Sequence, residues 1–327
     1  MTTRRKLLVA MGMVPLLAPG TSWPQQQPAK VARIGWLSPV SRTDEVARLN
    51  AFTDALQKLG YVEGKNLVIE GRWAQGKYER LAQFAAELVR LPVDVLVTQH
   101  TPTAQAAKQA TSTIPIVMAS VSGDPVASGL IASLARPGGN ITGITSVSGE
   151  VSVKWLELLK EASPRVRRIA VLLNPDTRTA TAAAIRAAAK ALKLELREFE
   201  VRRSDELESA FARMAASGLE AVAVHADSMF TSERRTIAGL AAKHRLPSVG
   251  TQGLAEAGGL IGYGPYPLES VRGAATLVDK ILKGAKPADL PVQQVSRFTL
   301  VVNSRTAKAL GMPLPQGLLL RADKVIE

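Results

Sequence analysis

Side chains able to hold a small molecule recur at one kind of place in this chain: just after an apolar run and just before a helix. Ser38 ends "ARIGWLSP", and Thr101, Pro102 and Thr103 follow "VDVLVTQH". Ser122 and Asp124 follow "IPIVMASV", Asn174 follows "RRIAVLL", and His225 and Asp227 close "LEAVAVHADS". Hydroxyls and helix-opening N–H groups at Thr101 to Thr103 suit a carboxylate. Asp124 and Asp227 suit an ammonium group, and Tyr263 and Trp36 offer aromatic faces for an apolar side chain. A single polar strand end reads as a helix cap. Repeated through both halves of the chain, the pattern reads as the walls of a cleft.

Patterns for catalysis are missing from the sequence. No G-x-G-x-x-G follows a strand, "GLIGYGP" has its glycines in the wrong order, and there is no G-x-S-x-G, Walker loop or His-Glu-x-x-His. An α/β enzyme is therefore the weaker alternative, and no cofactor is called for. With no cysteine there are no disulfides, thiolate metal sites or cysteine nucleophiles. The sequence has 3 histidines. Two of them, His100 and His225, end strands in opposite halves, and with Asp124 or Asp227 they suit zinc or nickel. A metal-ion receptor is thus a second alternative.

Several elements must position these residues. After "ARIGWLSP" comes a helix with Val46, Leu49, Phe52, Leu56 and Leu59 at helical spacing, closed by Gly60. "KNLVIEGRW", "VDVLVTQH" and "IPIVMASV" are further strands, separated by the helices "YERLAQFAAELVRL" and "TPTAQAAKQAT". The second half repeats the order with "RRIAVLLNP", "LELREFEV", "LEAVAVHADS" and "LPSVGTQG" as strands. Such alternation predicts α/β architecture: two doubly wound, Rossmann-like lobes whose loops gather at the carboxyl ends of parallel strands. The tail departs from the repeat, with a Gly-rich turn around Tyr263 and an amphipathic helix from Leu268 to Leu282. We expect residues 31–150 plus 258–284 in the first lobe, and 151–257 plus 285–327 in the second.

The 327 residues are 46% hydrophobic and 21% charged, which suits two globular lobes rather than a disordered chain. Aromatics are 4%, so Ala, Leu and Val must build most of the core. A net charge of +13 raises the question of nucleic acid. The basic residues are spread along helices with acids nearby and form no run or known binding motif, so a solvated basic surface is expected and no nucleic-acid partner. Residues 1–26 read as an export signal: Arg4, Arg5 and Lys6 precede a short apolar stretch from Leu7 to Pro19. The order Thr3-Arg4-Arg5-x-Leu7-Leu8 resembles a twin-arginine signal, and both Tat and Sec routes stay open. The expected mature protein is periplasmic, freely soluble and monomeric.

The chain also resembles the ABC-transporter substrate-binding family whose named members are linked to tryptophan or tyrosine uptake, with the type I periplasmic binding protein fold. The matching blocks include "LGYVEGKNLVIEGRWAQGKYERLAQFAAELVRLPVDVLVT", "TSTIPIVMASVSGDPVASGLIASLARPGGNITG", "AEAGGLIGYGP" and "ILKGAKPADLPVQQ". This resemblance implies two lobes joined by three crossovers, a small ligand trapped between them, no catalysis, and delivery to a membrane ABC permease. It places the cleft segments at Ser38, Thr101 to Thr103, Asp124, Asn174, Asp227 and Tyr263. Thr251-Gln252-Gly253 and Tyr266 depart from the family pattern near the cleft.

Overall fold

The computed structural model describes residues 31–122, 124–146, 148–177, 181–266 and 268–327. The expected export signal lies outside the described residues. Strands β1 (Ala32–Ser38), β2 (Leu67–Trp73), β3 (Val95–Gln99), β4 (Ile116–Ser122) and β5 (Ile141–Ser146) belong to one sheet. Strands β6 (Arg168–Leu173), β7 (Glu195–Glu200), β8 (Ala221–Val224), β9 (Ser248–Gly250) and β10 (Ile261–Pro265) belong to a second. From the tail, β11 (Gln293–Gln294) joins the first sheet, and β12 (Phe298–Asn303) and β13 (Lys324–Ile326) join the second. The resulting orders are β11-β5-β4-β3-β1-β2 and β13-β12-β10-β9-β8-β6-β7. Pairing is parallel throughout, except that β10 runs antiparallel to β12.

Both faces of each sheet are covered, which explains the nearly unbroken apolar runs. In the first lobe Ile34 and Trp36 pack against Phe52 and Leu56 of helix Arg42–Lys58 and Val271 and Val278 of helix Glu269–Leu282. The opposite face sets Leu37, Leu96 and Met118 against Leu81, Phe84 and Leu88 of helix Leu81–Arg90, whose apolar residues recur at helical spacing. In the second lobe Ile169 and Val171 pack with Trp155 and Leu159, while Ala170 and Leu172 meet Phe211 and Met214. Gly143 lets β5 lie against β4. Its φ is +148°, and a Cβ there would come 2.3 Å from the Met118 carbonyl oxygen.

The tail divides differently from the expected bounds. The expected bounds put the segment 258–284 wholly in the first lobe, but β10 is a strand of the second sheet. Ile261 pairs with Val249 on one side and Val302 on the other, so Tyr263 lies within a strand and not in a turn. The following helix, Glu269–Leu282, does pack on the first lobe. Conversely, Gln293 and Gln294 of the segment 285–327 pair with Ile144 and Thr145 of β5 in the first sheet. The chain therefore crosses between sheets three times: after Ser146, after Pro265 and after Gln294. Strand pairing, not local sequence, draws these boundaries.

Candidate functional site

The carboxyl ends of the two sheets meet. Tyr78, on the segment after β2, donates its hydroxyl to Asp227 Oδ2 at 3.0 Å and accepts the Ser228 backbone N–H at 3.1 Å. Asp227 follows β8 in the other lobe. A second contact joins Arg234 Nη2 to Asp44 Oδ1 at 2.8 Å, Asp44 lying in the first turn of helix Arg42–Lys58. Burial and the Asp227 charge push the Tyr78 phenol well above its ordinary pKa, so it stays protonated and keeps donating. The lobes are closed on each other around these strand ends.

The residues expected to hold the ligand stand at those strand ends, but most polar atoms there serve the local backbone. Ser38 is buried and its Oγ accepts the Val40 N–H at 3.3 Å. Thr103, buried in the first turn of helix His100–Ala110, donates to the carbonyls of Gln99 and His100. Thr101 and Pro102 are half-buried in the same turn. Ser122 ends β4 in register with Ser146. Asn174 Oδ1 accepts the Asp176 N–H at 3.0 Å. Asp124 is exposed and its Oδ1 accepts the N–H groups of Val126 at 2.8 Å and Ala127 at 3.2 Å. Asp227 Oδ1 caps the short helix Ser228–Ser232 through Met229 at 2.8 Å and Phe230 at 3.4 Å, while Oδ2 takes Tyr78.

This changes the roles expected of both aspartates. Asp227 caps helix Ser228–Ser232 and joins the lobes, whereas Asp124 closes a turn: among the described residues no helix follows it before β5, against the helix start expected there. The physical reason is that Asp, Asn and Ser are favoured at strand-to-helix junctions for the N–H groups they accept. The aromatic residues also differ from expectation. Trp36 is a wholly buried core residue, its ring 5.1 Å from that of Phe52. Tyr263 stacks on Phe298 with centroids 5.8 Å apart, and its carbonyl accepts the Trp155 indole N–H at 2.7 Å. It lines a groove of about 690 Å³ with Glu150, Lys154 and Glu157, on the side of helix Ser148–Ala162. The structure brings Asp227 to Tyr78 and seats Tyr263 on Phe298.

Gln99 is a further strand-end group, beyond the residues expected to hold a ligand. Gln99, the last residue of β3, is wholly buried, and neither Nε2 nor Oε1 has a hydrogen-bond partner among the described residues. The same holds for His100 Nε2 and His225 Nδ1. Buried polar atoms are nearly always matched, so such groups call for an explanation. A polar letter at the end of an otherwise apolar strand, as in "VLVTQ", was the available signal.

His100 and His225 do not build the alternative metal site: among the described residues no group of three or more His, Cys, Asp or Glu could hold a metal ion. Both imidazoles are instead held neutral. Burial, with the Arg48 charge adding to it, pushes His100 down to about 3. Burial also lowers His225, against the opposing pull of Asp227. A folded-state pKa below the unfolded value near 6.5 gives stability that is present above that value and lost as pH falls through the window towards 3. Thermal melts between pH 7 and pH 5, a range chosen to lie above the ordinary carboxylate pKa values, should therefore show falling stability. His100→Asn should flatten that slope, since Asn tolerates the left-handed backbone at φ 65°. An unchanged slope would place the titration elsewhere.

Two doubly wound lobes, closed at the carboxyl edges of their sheets and linked by three crossovers, define a type I solute-binding protein. The chain belongs to the ABC transporter substrate binding protein family, which it matches over residues 33–326. It is similar to a crystal structure of a conserved domain protein from Vibrio cholerae, at 31% identity and a TM-score of 0.84, covering 90% of this chain and 100% of that one. An ABC domain in complex with L-Trp from Streptococcus pneumonia is 28% identical with a TM-score of 0.84, covering 90% and 99%. A tyrosine-binding protein of Clostridioides difficile is 29% identical over 265 residues, 80% of this chain and 75% of that protein. The ligand-free, open structure of a substrate-binding protein with adhesive properties from Clostridium difficile is 27% identical, covers 90% and 99%, and has a TM-score of 0.64. At almost equal identity and coverage, the lower score goes with the open form, which agrees with the cross-lobe contacts seen here. The protein is an extracytoplasmic substrate-binding protein that takes a small ligand between two lobes and works with an ABC permease. It is a carrier, not an enzyme.

Proposed function

We propose that the ligand is an amino acid with an aromatic or large apolar side chain, captured between the lobes and passed on to the permease. The observation that carries this reading is the match, at a TM-score of 0.84, to an ABC domain in complex with L-Trp. The tyrosine-binding relative points to the same ligand class. In this reading the strand-end segments at Ser38, Thr101 to Thr103, Ser122 to Asp124, Asn174 and Asp227 shape the walls, and the helix opening at Thr101 receives the carboxylate. The segment from Arg4 to Pro19 directs export by a Tat-like or Sec route, and the carrier works as a monomer. Mass spectrometry of ligand released from freshly purified, denatured protein should yield an aromatic or large apolar amino acid. Calorimetry with L-Trp and L-Tyr should then give saturable binding. Release of a sugar or metal ion, with no heat from either amino acid, would overturn the reading.

A further inference from the structure

We propose that the first lobe grips the ligand's ammonium group through Glu45, Gln99 and His100. The proposal rests on the amino-acid reading above and names residues that neither aspartate at the strand ends replaces. The Glu45 side chain has no solvent exposure; Oε1 accepts Arg48 Nη1 at 3.2 Å, and Oε2 has no hydrogen-bond partner among the described residues. Gln99 and the Nε2 of His100 are likewise buried and unmatched. Strands β1 and β3 are neighbours, so Ser38 and Gln99 end adjacent strands of the same sheet. The Ser38 hydroxyl is near enough to Glu45, and the Arg48 charge near enough to His100, for each to influence its neighbour's protonation. These groups therefore stand at the carboxyl ends of β1 and β3 and the start of helix Arg42–Lys58, one corner of the first lobe.

That corner lies at the closing edge. Asp44, immediately before Glu45, forms the ion pair to Arg234 of the opposite lobe. The loop carrying Tyr78, the other cross-lobe residue, is tied to the segment after Ser38 by the Gly76 N–H on the Pro39 carbonyl at 2.6 Å. Both segments that carry a cross-lobe contact in the first lobe, the start of helix Arg42–Lys58 and the Tyr78 loop, thus adjoin the end of β1.

Its chemistry selects the guest. A carboxylate oxygen, an amide carbonyl and a neutral imidazole nitrogen are three acceptors, and an ammonium group has three donors. Burial raises the Glu45 pKa, so that the unfilled corner disfavours its charge and an arriving cation restores it. Glu45 and Arg48 together are neutral, which matches a zwitterion better than a net cation.

Glu45→Gln tests this, since it keeps size and removes the charge. Calorimetry should show binding of L-Trp and L-Tyr weakened at least about tenfold. Binding of 3-indolepropionate and 3-(4-hydroxyphenyl)propionate, which lack the amine, should be already weak in wild type and unchanged in the variant. The melting temperature without ligand should fall modestly, because Arg48 loses its ion-pair partner; the amine-free acids separate that loss from a loss of the ammonium contact. Gln99→Leu, a second variant that removes two unmatched atoms, should show the same loss while staying folded. Equal amino-acid affinity in wild type and Glu45→Gln would overturn the pocket and leave the amino-acid reading standing. So would wild-type binding of the amine-free acids as tightly as the amino acids. Wild type binding neither kind of compound would overturn both.

Discussion

Asp227→Ala should weaken ligand binding at least about tenfold and also lower the melting temperature, whereas Tyr78→Phe should weaken binding with little change in melting. The two variants separate two roles of one carboxylate. Asp227 Oδ1 caps helix Ser228–Ser232, and a lost cap costs about 1 kcal/mol of stability. Its Oδ2 accepts the Tyr78 hydroxyl across the cleft at 3.0 Å, and a hydrogen bond to a charged group contributes about 1.5–3 kcal/mol. That second contribution exists only while the lobes are closed. Removing it shifts the population towards the open form, and apparent affinity falls in proportion to the binding-competent fraction. Since about 1.4 kcal/mol is a factor of ten, the expected loss is tenfold or more. Tyr78→Phe removes the cross-lobe bond and keeps the cap. Calorimetry and thermal melts on each variant, with small-angle scattering to follow compaction, measure all three quantities. If Tyr78→Phe bound as tightly as wild type, the cross-lobe contact would have no part in closure.

Trp36→Ala should cost about 3–5 kcal/mol of folding stability, the range for removing a large aromatic from a packed core. The ring has no exposed surface, lies 5.1 Å from Phe52, and belongs to the cluster that seats helix Glu269–Leu282 on the first sheet. Trp36→Phe should be far milder, below about 1.5 kcal/mol. It gives up some packing area, but it also removes an indole N–H that is buried and unmatched, and losing such a group is favourable. Urea unfolding of both variants decides the point. A Trp36→Ala protein that melted like wild type and lost its ligand would place the indole at the binding site instead of in the core.

Much of the architecture could be read from local sequence because it rests on local rules. Apolar runs such as "VDVLVTQH" can be satisfied only with both faces covered, and the helix at Leu81–Arg90 shows its packing face in the spacing of Leu81, Phe84, Ala85 and Leu88. Asp124, Asn174 and Asp227 were visible as strand-end residues for the same reason that they accept the backbone N–H groups just after them. A cap and a ligand-binding group draw on the same residue types, and sequence alone does not distinguish a carboxylate facing its own N–H groups from one facing a guest.

By itself, then, the sequence determined the order of strands and helices, the two-lobed plan, the family, and the absence of cysteine and catalytic motifs. Those follow from periodicity and residue type, which act over a few neighbouring residues. Tertiary structure alone decided which side chains face one another across the cleft. Tyr78 meets Asp227 although 149 residues separate them, and Asp44 meets Arg234 in the same way. It also decided that β10 pairs with β9 and β12, that β11 returns to the first sheet, and that Gln99 and Glu45 are buried without full matching. Pairing and burial depend on where distant segments pack, and no local pattern in the chain carries that information.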